Sequence, residues 1–222
     1  MSWDNSSFVT YMVEHGIVGF WQEPLTLKSG KKSHFYINWR HASNDVLLMD
    51  QLTDYLLDFL SELDQKFDCL FGVPEGASKT ALIANYKRAL AGKPISVGDY
   101  HLPMGRAVSK KHGSPQDKNY IGYPDGKVLV VEDTVTTGGS LIQCIDKLLD
   151  DKVDVCGAIS LSDRQDRNVD GHSAADLIKK RYDGEIFYTS MAFAQDVVPD
   201  AMKQQTVASS LEQAVLKELS IQ

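Results

Sequence analysis

The stretch that decides the fold is residues 127–140, which read KVLVVEDTVTTGGS. Residues 128–131 are apolar and mostly β-branched, as expected for a strand that is buried on both faces of a parallel sheet. The carboxylates Glu132 and Asp133 follow, and a turn of hydroxyl-bearing residues and glycines then runs to Ser140. A helical pattern begins at residues 141–149, so the stretch predicts a strand, a short turn and a helix N-terminus.

This turn has the chemistry of a phosphate site. Free backbone N–H groups and the dipole at a helix N-terminus favour a bound anion, and the hydroxyls add donors. Glu132 and Asp133 would repel a bare phosphate, which favours a sugar hydroxyl, a bridging Mg²⁺, or both as their partner. The alternative interpretation is an ordinary βα turn with a capping carboxylate.

Length and charge limit the class of protein. The chain has 222 residues, which suits one large domain or one domain with an appendage. The net charge of −7 disfavours nucleic acid and anionic membranes as main partners. If the substrate is anionic, lysines and arginines must therefore be concentrated locally against the overall sign.

Cysteine usage and the absence of export signals indicate a cytoplasmic protein. Cys69, Cys144 and Cys156 are far apart, lie in apolar stretches and show no metal-binding spacing, as in a reducing compartment. The N-terminus lacks the basic and apolar segments of a signal peptide. No apolar stretch approaches the roughly 20 residues of a membrane-spanning helix.

Hydrophobic periodicity predicts alternating strands and helices along the chain. Helices are predicted at residues 8–15, 50–63, 79–90, 141–149, 174–181 and 207–219. Strands are predicted at 67–73, 93–99, 128–131, 154–161 and 184–190, with a hairpin at 25–40, whereas 191–206 gives no clear pattern. This order predicts an α/β fold with a mostly parallel, doubly wound sheet. The loops at 74–78, 132–140 and 162–167 directly follow strands, where such sheets bind ligands.

A long cationic segment, residues 100–124, separates two of these strands. It contains Arg106, Lys110, Lys111, His112 and Lys118. Loops of this length are uncommon inside a compact domain and are usually functional or disordered. The cations favour a mobile lid that closes over a polyanion, and a disordered surface excursion is the alternative.

Together the motifs resemble orotate phosphoribosyltransferases. Residues 127–140 resemble the phosphoribosyl pyrophosphate (PRPP) signature of the type I phosphoribosyltransferases. The Leu-Lys-Ser-Gly turn at 27–30 with its following aromatics, the Arg-x-x-x-Lys-x-His-Gly pattern at 106–113 and Asp-Arg-Gln at 163–165 narrow the resemblance. It implies transfer of ribose 5-phosphate from PRPP to orotate, giving orotidine 5′-phosphate and pyrophosphate in de novo UMP (pyrimidine) biosynthesis.

The resemblance also implies an organisation. Residues 1–222 would form a single phosphoribosyltransferase domain, in which residues 1–45 contribute a small N-terminal hood and 200–222 a C-terminal helix. The cofactor would be Mg²⁺, bridged through PRPP and water, with no direct protein ligand assigned. The family's lid reaches the neighbouring subunit's site, which implies a homodimer.

Site residues follow from matching positions. The catalytic residues would be Lys110, His112 and Asp133, the first two as candidates for proton transfer to the leaving group. Orotate binding is assigned to Tyr36, Ile37, Thr136 and Arg164. PRPP binding is assigned to Lys28, Glu75, Gly76, Arg106, Lys110, Lys111, His112, Glu132, Asp133, Thr134, Val135, Thr136, Thr137, Gly138, Gly139 and Ser140.

Two of these assignments have alternatives. The family's paired aromatics match either Tyr36-Ile37 or Phe35-Tyr36, and Tyr36 belongs to both pairs. The planar guanidinium of Arg164 suits a bidentate bond to the orotate carboxylate, whereas an ion pair with a neighbouring Asp is the plain interpretation.

The chain also departs from the family pattern. Ala107 stands where the family usually has Lys, and Glu75-Gly76 stands where some members have Tyr-Lys, in a loop that often contains a non-proline cis peptide. Two other functions therefore stay open. One is a phosphoribosyltransferase for a different base, and the other is a non-catalytic PRPP-binding regulator.

Overall fold

A computed structural model of the chain describes residues 3–27, 30–92, 94–112 and 114–220, without the side chains of Pro115 and Gln116. In chain order the elements are α1 (Asn5–Glu14), β1 (Val18–Thr26), β2 (Lys32–Ile37), α2 (Arg40–Ser43), α3 (Val46–Glu62), β3 (Cys69–Gly72), α4 (Ser78–Ala91), β4 (Met104–Gly105), α5 (Pro115–Asn119), β5 (Tyr120–Ile121), β6 (Lys127–Val135), α6 (Gly139–Asp150), β7 (Asp154–Asp163), α7 (Ala174–Arg181), β8 (Phe187–Ser190), α8 (Ala194–Gln204) and α9 (Ser209–Leu219). The six predicted helices are confirmed.

A parallel sheet of four strands, in the order β3-β6-β7-β8, forms the centre of the fold. Side chains of β6 alternate between its faces, and all five apolar ones are buried. Val128 and Val130 pack with α6 and α7, whereas Leu129 and Val131 pack with α3, α4 and α8. Helices thus cover both faces, which confirms the predicted α/β, doubly wound architecture.

The N-terminal segment forms the predicted hairpin. Strands β1 and β2 are antiparallel, with Phe20 opposite Phe35 and an irregular register between Phe20 and Leu25. Strand β2 shares one apolar cluster with α1, α3, α8, α9 and one face of the sheet. The hairpin is therefore fixed over the sheet by burial, and Trp39 after it stacks on Phe8 of α1.

A second small hairpin stands in the cationic segment. Strand β4 pairs with β5 in antiparallel fashion, Met104 opposite Ile121 and Gly105 opposite Tyr120. A Cβ built on Gly105 would lie 2.7 Å from Cγ of Pro74 and 2.9 Å from Cζ of Phe71. Because only glycine fits there, this lid hairpin (residues 104–121) starts directly against the loop that follows β3.

Two predictions about secondary structure are wrong. The strand predicted at 93–99 is absent from residues 94–99, where Pro94 lacks an N–H and Gly98 has a φ of +97°. Helix α8 lies in the region that gave no pattern, and it contains Pro199. In the part of the chain that the structure describes, no helix is both long and apolar enough to cross a membrane.

Candidate active site

The turn after β6 is open at its backbone. Strand β6 runs on to Val135, beyond the predicted residues 128–131, because its carboxyl end pairs with β7 as far as Asp163. Gly138 precedes α6 with a φ of +84° and supplies no side-chain cap. Gly139 and Ser140 are exposed in the first helical turn. The first turn of α6 thus lies at the surface without a side-chain cap from Gly138, a position where a helix N-terminus can accept an anion.

The acidic pair meets the loop after β3. The half-buried Asp133 accepts a hydrogen bond at Oδ1 from the Thr134 N–H (2.8 Å). A Cβ built on Gly76 would overlap the Asp133 carboxylate. Glu132 is buried and accepts the Asp133 N–H at 3.3 Å. The absence of a side chain at Gly76 thus lets the two strand-end loops touch, and the Pro74–Glu75 peptide between them is cis.

The lid places its cations at an exposed tip. Lys110, Lys111 and His112 are exposed, and their side chains form no hydrogen bond or ion pair with any other described residue. Arg106 is half-buried next to Gly105, and its Nε donates to the Asp117 carbonyl inside the hairpin (3.0 Å). Among the described residues of the lid, Gly105 at its base lies against Pro74 in the loop after β3.

The second arm of the lid is held at the far end of α6. The Asp151 carboxylate accepts from Asn119 Nδ2 (2.9 Å) and from the Tyr120 hydroxyl (2.7 Å). The Tyr123 hydroxyl donates to the Asp151 carbonyl (3.0 Å). Asp151 directly follows α6, so the lid is hydrogen-bonded near the C-terminal end of this helix, opposite the turn that joins β6 to α6.

Arg164, after β7, is buried among internal partners, with a side chain only 1% exposed. Nε donates to Asp166 (3.1 Å), Nη1 to the Phe35 carbonyl (3.2 Å) and Nη2 to Ser33 Oγ (3.0 Å). Nη2 also donates to Glu218 Oε1 on α9 (3.2 Å). The ion pair with Asp166 agrees with the alternative in which Arg164 pairs with a neighbouring Asp. The guanidinium is bonded to groups of the protein rather than open to a substrate carboxylate.

The hood meets Arg164 through one face of β2. Ser33, Phe35 and Ile37 alternate with more exposed neighbours and point into the core. The Phe35 ring lies 4.0 Å from the Arg164 guanidinium carbon. The Tyr36 ring packs edge-on against Trp21 on the other face. The aromatic side chain at Arg164 is therefore Phe35, whereas Tyr36 lies on the opposite face of β2, because strand residues alternate faces. The assignment of Tyr36 to orotate binding stays a prediction.

A hydrogen-bonded network ties the strand ends together. Trp39 Nε1 donates to Ser162 Oγ (3.0 Å), which lies 3.2 Å from Thr134 Oγ1. Beside it the Tyr188 hydroxyl donates to Asp163 Oδ2 (2.8 Å). Burial raises the pKa of Asp163 above its ordinary value, and burial followed by the Asp163 charge raises the pKa of Tyr188 well above 10. The hood, β6, β7 and β8 are thus joined at one edge of the sheet.

Comparison with known proteins identifies the family. No protein-family model matches the chain. The orotate phosphoribosyltransferase of Pyrobaculum calidifontis is 32% identical over 154 residues, which cover 69% of this chain and 73% of that protein. The enzyme of the same name from Methanopyrus kandleri is 30% identical over 143 residues, 64% of this chain and 69% of that protein. The chain belongs to the orotate phosphoribosyltransferase family.

The fold agrees with this family. The crystal structure of the Francisella tularensis orotate phosphoribosyltransferase superposes with a TM-score of 0.69 at 21% identity, over 95% of this chain and 96% of that one. The predicted type I phosphoribosyltransferase core is confirmed. Family members are pentosyltransferases, a class of glycosyltransferase, so the chain is identified as an enzyme of that class.

The predicted PRPP-binding residues of this orotate phosphoribosyltransferase family member lie partly in contact and partly apart. Gly76 and Asp133 lie together, and residues 132–140 follow one another along the end of β6, the turn and the start of α6. Val135 has its side chain in the core and its carbonyl bonded to the Arg164 N–H (2.8 Å), so both groups hold the turn in place. Lys28 lies outside the described residues.

Sequence reasoning missed Glu218. Its Oε2 accepts the His34 N–H of β2 (2.9 Å), and its Oε1 accepts from Arg164. Glu218 lies on the amphipathic helix α9, whose inward positions are Leu211, Val215 and Leu219. A charged residue on such a helix is ordinarily expected on the solvated face. Only the fold shows that this carboxylate points into the hood.

Proposed function

We propose that this chain transfers the ribose 5-phosphate group of PRPP to N1 of orotate, releasing pyrophosphate and forming orotidine 5′-phosphate in de novo UMP synthesis. The observation that carries the proposal is the contact of Gly76 with the Asp133 carboxylate beside the uncapped N-terminus of α6. This contact supports the proposal because two loops suited to phosphate would then flank a carboxylate suited to sugar hydroxyls, as a substrate with phosphates at both ends of a ribose needs.

The reaction is a displacement at C1 of the ribose. Positive charge develops on the ring as pyrophosphate departs, so the protein's tasks are positioning and charge stabilisation. Thr134, Thr136, Thr137 and the first turn of α6 would hold the 5-phosphate through hydroxyls and N–H groups. Glu132 and Asp133 would bind the ribose hydroxyls. Their negative charge also favours the oxocarbenium-like transition state.

Magnesium would arrive with the substrate. Among the residues that the structure describes, no three histidines, cysteines or carboxylates gather into a metal site. Mg²⁺ loses its water reluctantly and binds readily through phosphate oxygens, so this donor set fits a metal held mainly by PRPP with Asp133 nearby. When bound, Mg²⁺ supplies charge neutralisation on the departing pyrophosphate.

We place the lid cations of one subunit in the site of its partner within a homodimer. The lid is fastened at Asp151, while the phosphate turn lies at the other end of α6. The helix has 12 residues, which corresponds to about 18 Å. Arg106, Lys110, Lys111 and His112 would then neutralise pyrophosphate in the neighbouring site, with Lys110 or His112 donating a proton to the leaving group.

Complementation tests this sharing between subunits. Lys110→Ala and Asp133→Asn subunits are each expected to be nearly inactive alone. After mixing and subunit exchange, a shared lid gives one intact site per mixed dimer, so activity should return. Persistent inactivity of demonstrated mixed dimers would show that each lid serves its own chain.

The test of the function itself is PRPP consumption with orotate. Activity should require Mg²⁺ and yield orotidine 5′-phosphate, followed by the change in orotate absorbance. Adenine, hypoxanthine and uracil are the comparison bases. Turnover with another base but not with orotate would overturn the specificity and leave the reaction class. Tight PRPP binding without turnover of any base would indicate a regulator.

One observation favours a second candidate, transfer to a base without a carboxylate. Arg164 and Lys31 carry two positive charges, and Asp166 and Glu218 carry two negative ones, in contacts of 2.6 to 3.2 Å. These four charges of the described residues balance one another, and a neutral base would bind beside them without adding charge. The same panel of bases separates the two candidates.

We also propose a cytoplasmic location. All three cysteines are free, and burial raises the pKa of the Cys69 thiol to about 11 and that of Cys144 to about 12. Such thiols are small apolar side chains rather than redox centres. Their reduced state suits the reducing compartment in which pyrimidine synthesis takes place.

A further inference from the structure

The guanidinium of Arg164 has no free edge for a bidentate carboxylate. A guanidinium has five N–H donors, and four of them are engaged by Asp166, Phe35, Ser33 and Glu218. A carboxylate grips two parallel N–H groups along the Nε–Nη2 edge or the Nη1–Nη2 edge. Both edges include Nη2, whose two N–H groups already bond Ser33 and Glu218. A substrate carboxylate must therefore displace one of these partners.

Glu218 is the partner that resembles a substrate carboxylate. Among the four groups it is a carboxylate from a distant helix, 54 residues from Arg164 along the chain. Asp166 is two residues away in the same loop and is also paired with Lys31 at 2.6 Å. Ser33 and Phe35 contribute neutral oxygens from β2. Loss of Glu218 would return one N–H of Nη2, the nitrogen that both bidentate edges share.

Glu218 can leave without unfolding its helix. Helix α9 is held by Leu211, Val215 and Leu219, which are buried in the main apolar cluster. These contacts do not involve the Glu218 carboxylate, which is 9% exposed and lies one residue before the end of the helix. A negative charge near a helix C-terminus is opposed by the helix dipole, so the bonds to Arg164 and the His34 N–H hold it there. Release of the carboxylate therefore requires breaking these two bonds and leaves the apolar contacts of α9 in place.

From these contacts we propose that Glu218 occupies on Arg164 the position of the base's carboxylate, and that orotate binds by displacing it. Glu218 is thus a specificity-determining residue that competes with carboxylate-bearing bases and leaves bases without a carboxylate unaffected. This inference rests on the proposed function, in which Arg164 recognises orotate. It also gives the C-terminal helix a role in the base site, where sequence motifs assign it none.

The substitution Glu218→Gln tests this proposal, because it removes the negative charge and keeps the shape of the side chain. The amide oxygen can still accept the His34 N–H, but the amide competes poorly for the guanidinium. Orotate should bind about tenfold more tightly, the low end of the contribution of a close charge pair. The KM for PRPP and the inhibition constant of uracil, which is orotate without the carboxylate, should stay within twofold. A purely structural role for Glu218 would change orotate and uracil together.

Glu212→Gln is the matched control. Glu212 lies on the same helix, is exposed, and loses the same charge. It should leave the orotate affinity unchanged. If Glu218→Gln does not fold, Glu218→Asp keeps the charge but shortens the reach by one methylene. The aspartate cannot bridge Arg164 and the His34 N–H, so it should tighten orotate binding by a smaller factor.

Equilibrium titration of orotate, by calorimetry without PRPP, separates the two levels of the proposal. Unchanged or weaker orotate binding in a folded Glu218→Gln protein overturns the competition. Tighter orotate and unchanged uracil binding support it, even if the wild-type enzyme fails to turn orotate over. Failure of turnover would in that case overturn the proposed reaction alone.

Discussion

The loops after β6 and β7 follow adjacent strands but differ in burial and in charge pairing. The turn after β6 leads into a helix whose first turn is exposed and lacks a side-chain cap from Gly138. The loop after β7 buries a charged guanidinium against two carboxylates and two neutral oxygens. Polar groups at the surface can bond water, so the turn after β6, the proposed phosphate side, needs no partner from the protein. A buried charge must be paired, so the loop after β7, the proposed base side, is closed by the protein's own groups.

The largest effect is expected from Arg164→Ala. Asp166 and Glu218 would both lose their buried partner, and breaking such a pair costs about 3–5 kcal/mol of unfolding free energy. Urea unfolding followed by circular dichroism measures this. Arg167→Ala is the control, since Arg167 is exposed and should cost less than about 1 kcal/mol. Equal stability of the two variants would mean that the base side is not held by its charges.

On the phosphate side, Asp133→Asn should act on activity rather than stability. The amide oxygen can keep the bond from the Thr134 N–H, but the negative charge at the proposed ribose site is lost. We expect kcat/KM to fall about 10²-fold, as for loss of one preorganised group. Steady-state kinetics and thermal melts check both parts. Asp150→Asn, at an exposed position of α6, should change neither quantity.

Gly138→Ala tests the geometry of the open turn. Gly138 has a φ of +84°, and its Cβ would lie 2.9 Å from Cβ of Ala174. The left-handed conformation alone costs about 1–2 kcal/mol with a side chain. Weaker PRPP binding and a lower melting temperature should follow together. Gly139→Ala has open space and ordinary φ, so its stability should be unchanged or slightly higher. Identical melting temperatures would refute the strain at Gly138.

The smallest effect concerns pH, through Tyr188 on the base side. Its pKa is raised well above 10 by burial and then by the Asp163 charge. Above pH 10 the folded state therefore keeps a phenol proton that the unfolded state releases. The contribution of Tyr188 to the free energy of unfolding is complete below pH 10 and is lost progressively as the pH rises above 10. Tyr188→Phe should reduce the alkaline loss of stability by up to about 1.4 kcal/mol per pH unit.

Urea melts at pH 9 and pH 10.5 measure that difference. Tyr36→Phe is the control, because Tyr36 packs against Trp21 away from the Asp163 cluster. Parallel pH dependence in the Tyr188→Phe and wild-type proteins would contradict the assignment.

Local patterns determined most of the architecture. The β-branched run of β6 and the apolar stripe of α6 each form where periodicity predicts them, because each buries a face against the sheet. Helix α8 was missed because Pro199 interrupts its pattern, yet burial of Val197, Val198 and Ala201 holds it. The strand predicted at 93–99 was wrong because an isolated apolar alternation has no partner strand there, and Pro94 and Gly98 favour a turn.

The candidate site was predictable only where its residues are neighbours in sequence. Residues 132–140 could be read directly, because strand, carboxylates and helix N-terminus are contiguous. The surroundings of Arg164 could not, since Ser33 and Glu218 lie 131 and 54 residues away. Phe35 faces Arg164 and Tyr36 does not, because of the register of β2. A shift of that register by one residue would exchange the two faces.

The attachment of the lid to Asp151 has a consequence for protein engineering. Three hydrogen bonds from Asn119, Tyr120 and Tyr123 converge on this one residue, and Tyr120 is buried in the core. The hairpin is therefore anchored independently of its exposed tip. Tip segments of other lengths and charges, grafted between the paired Lys110 and Lys118, can be exchanged as cassettes while the scaffold stays the same.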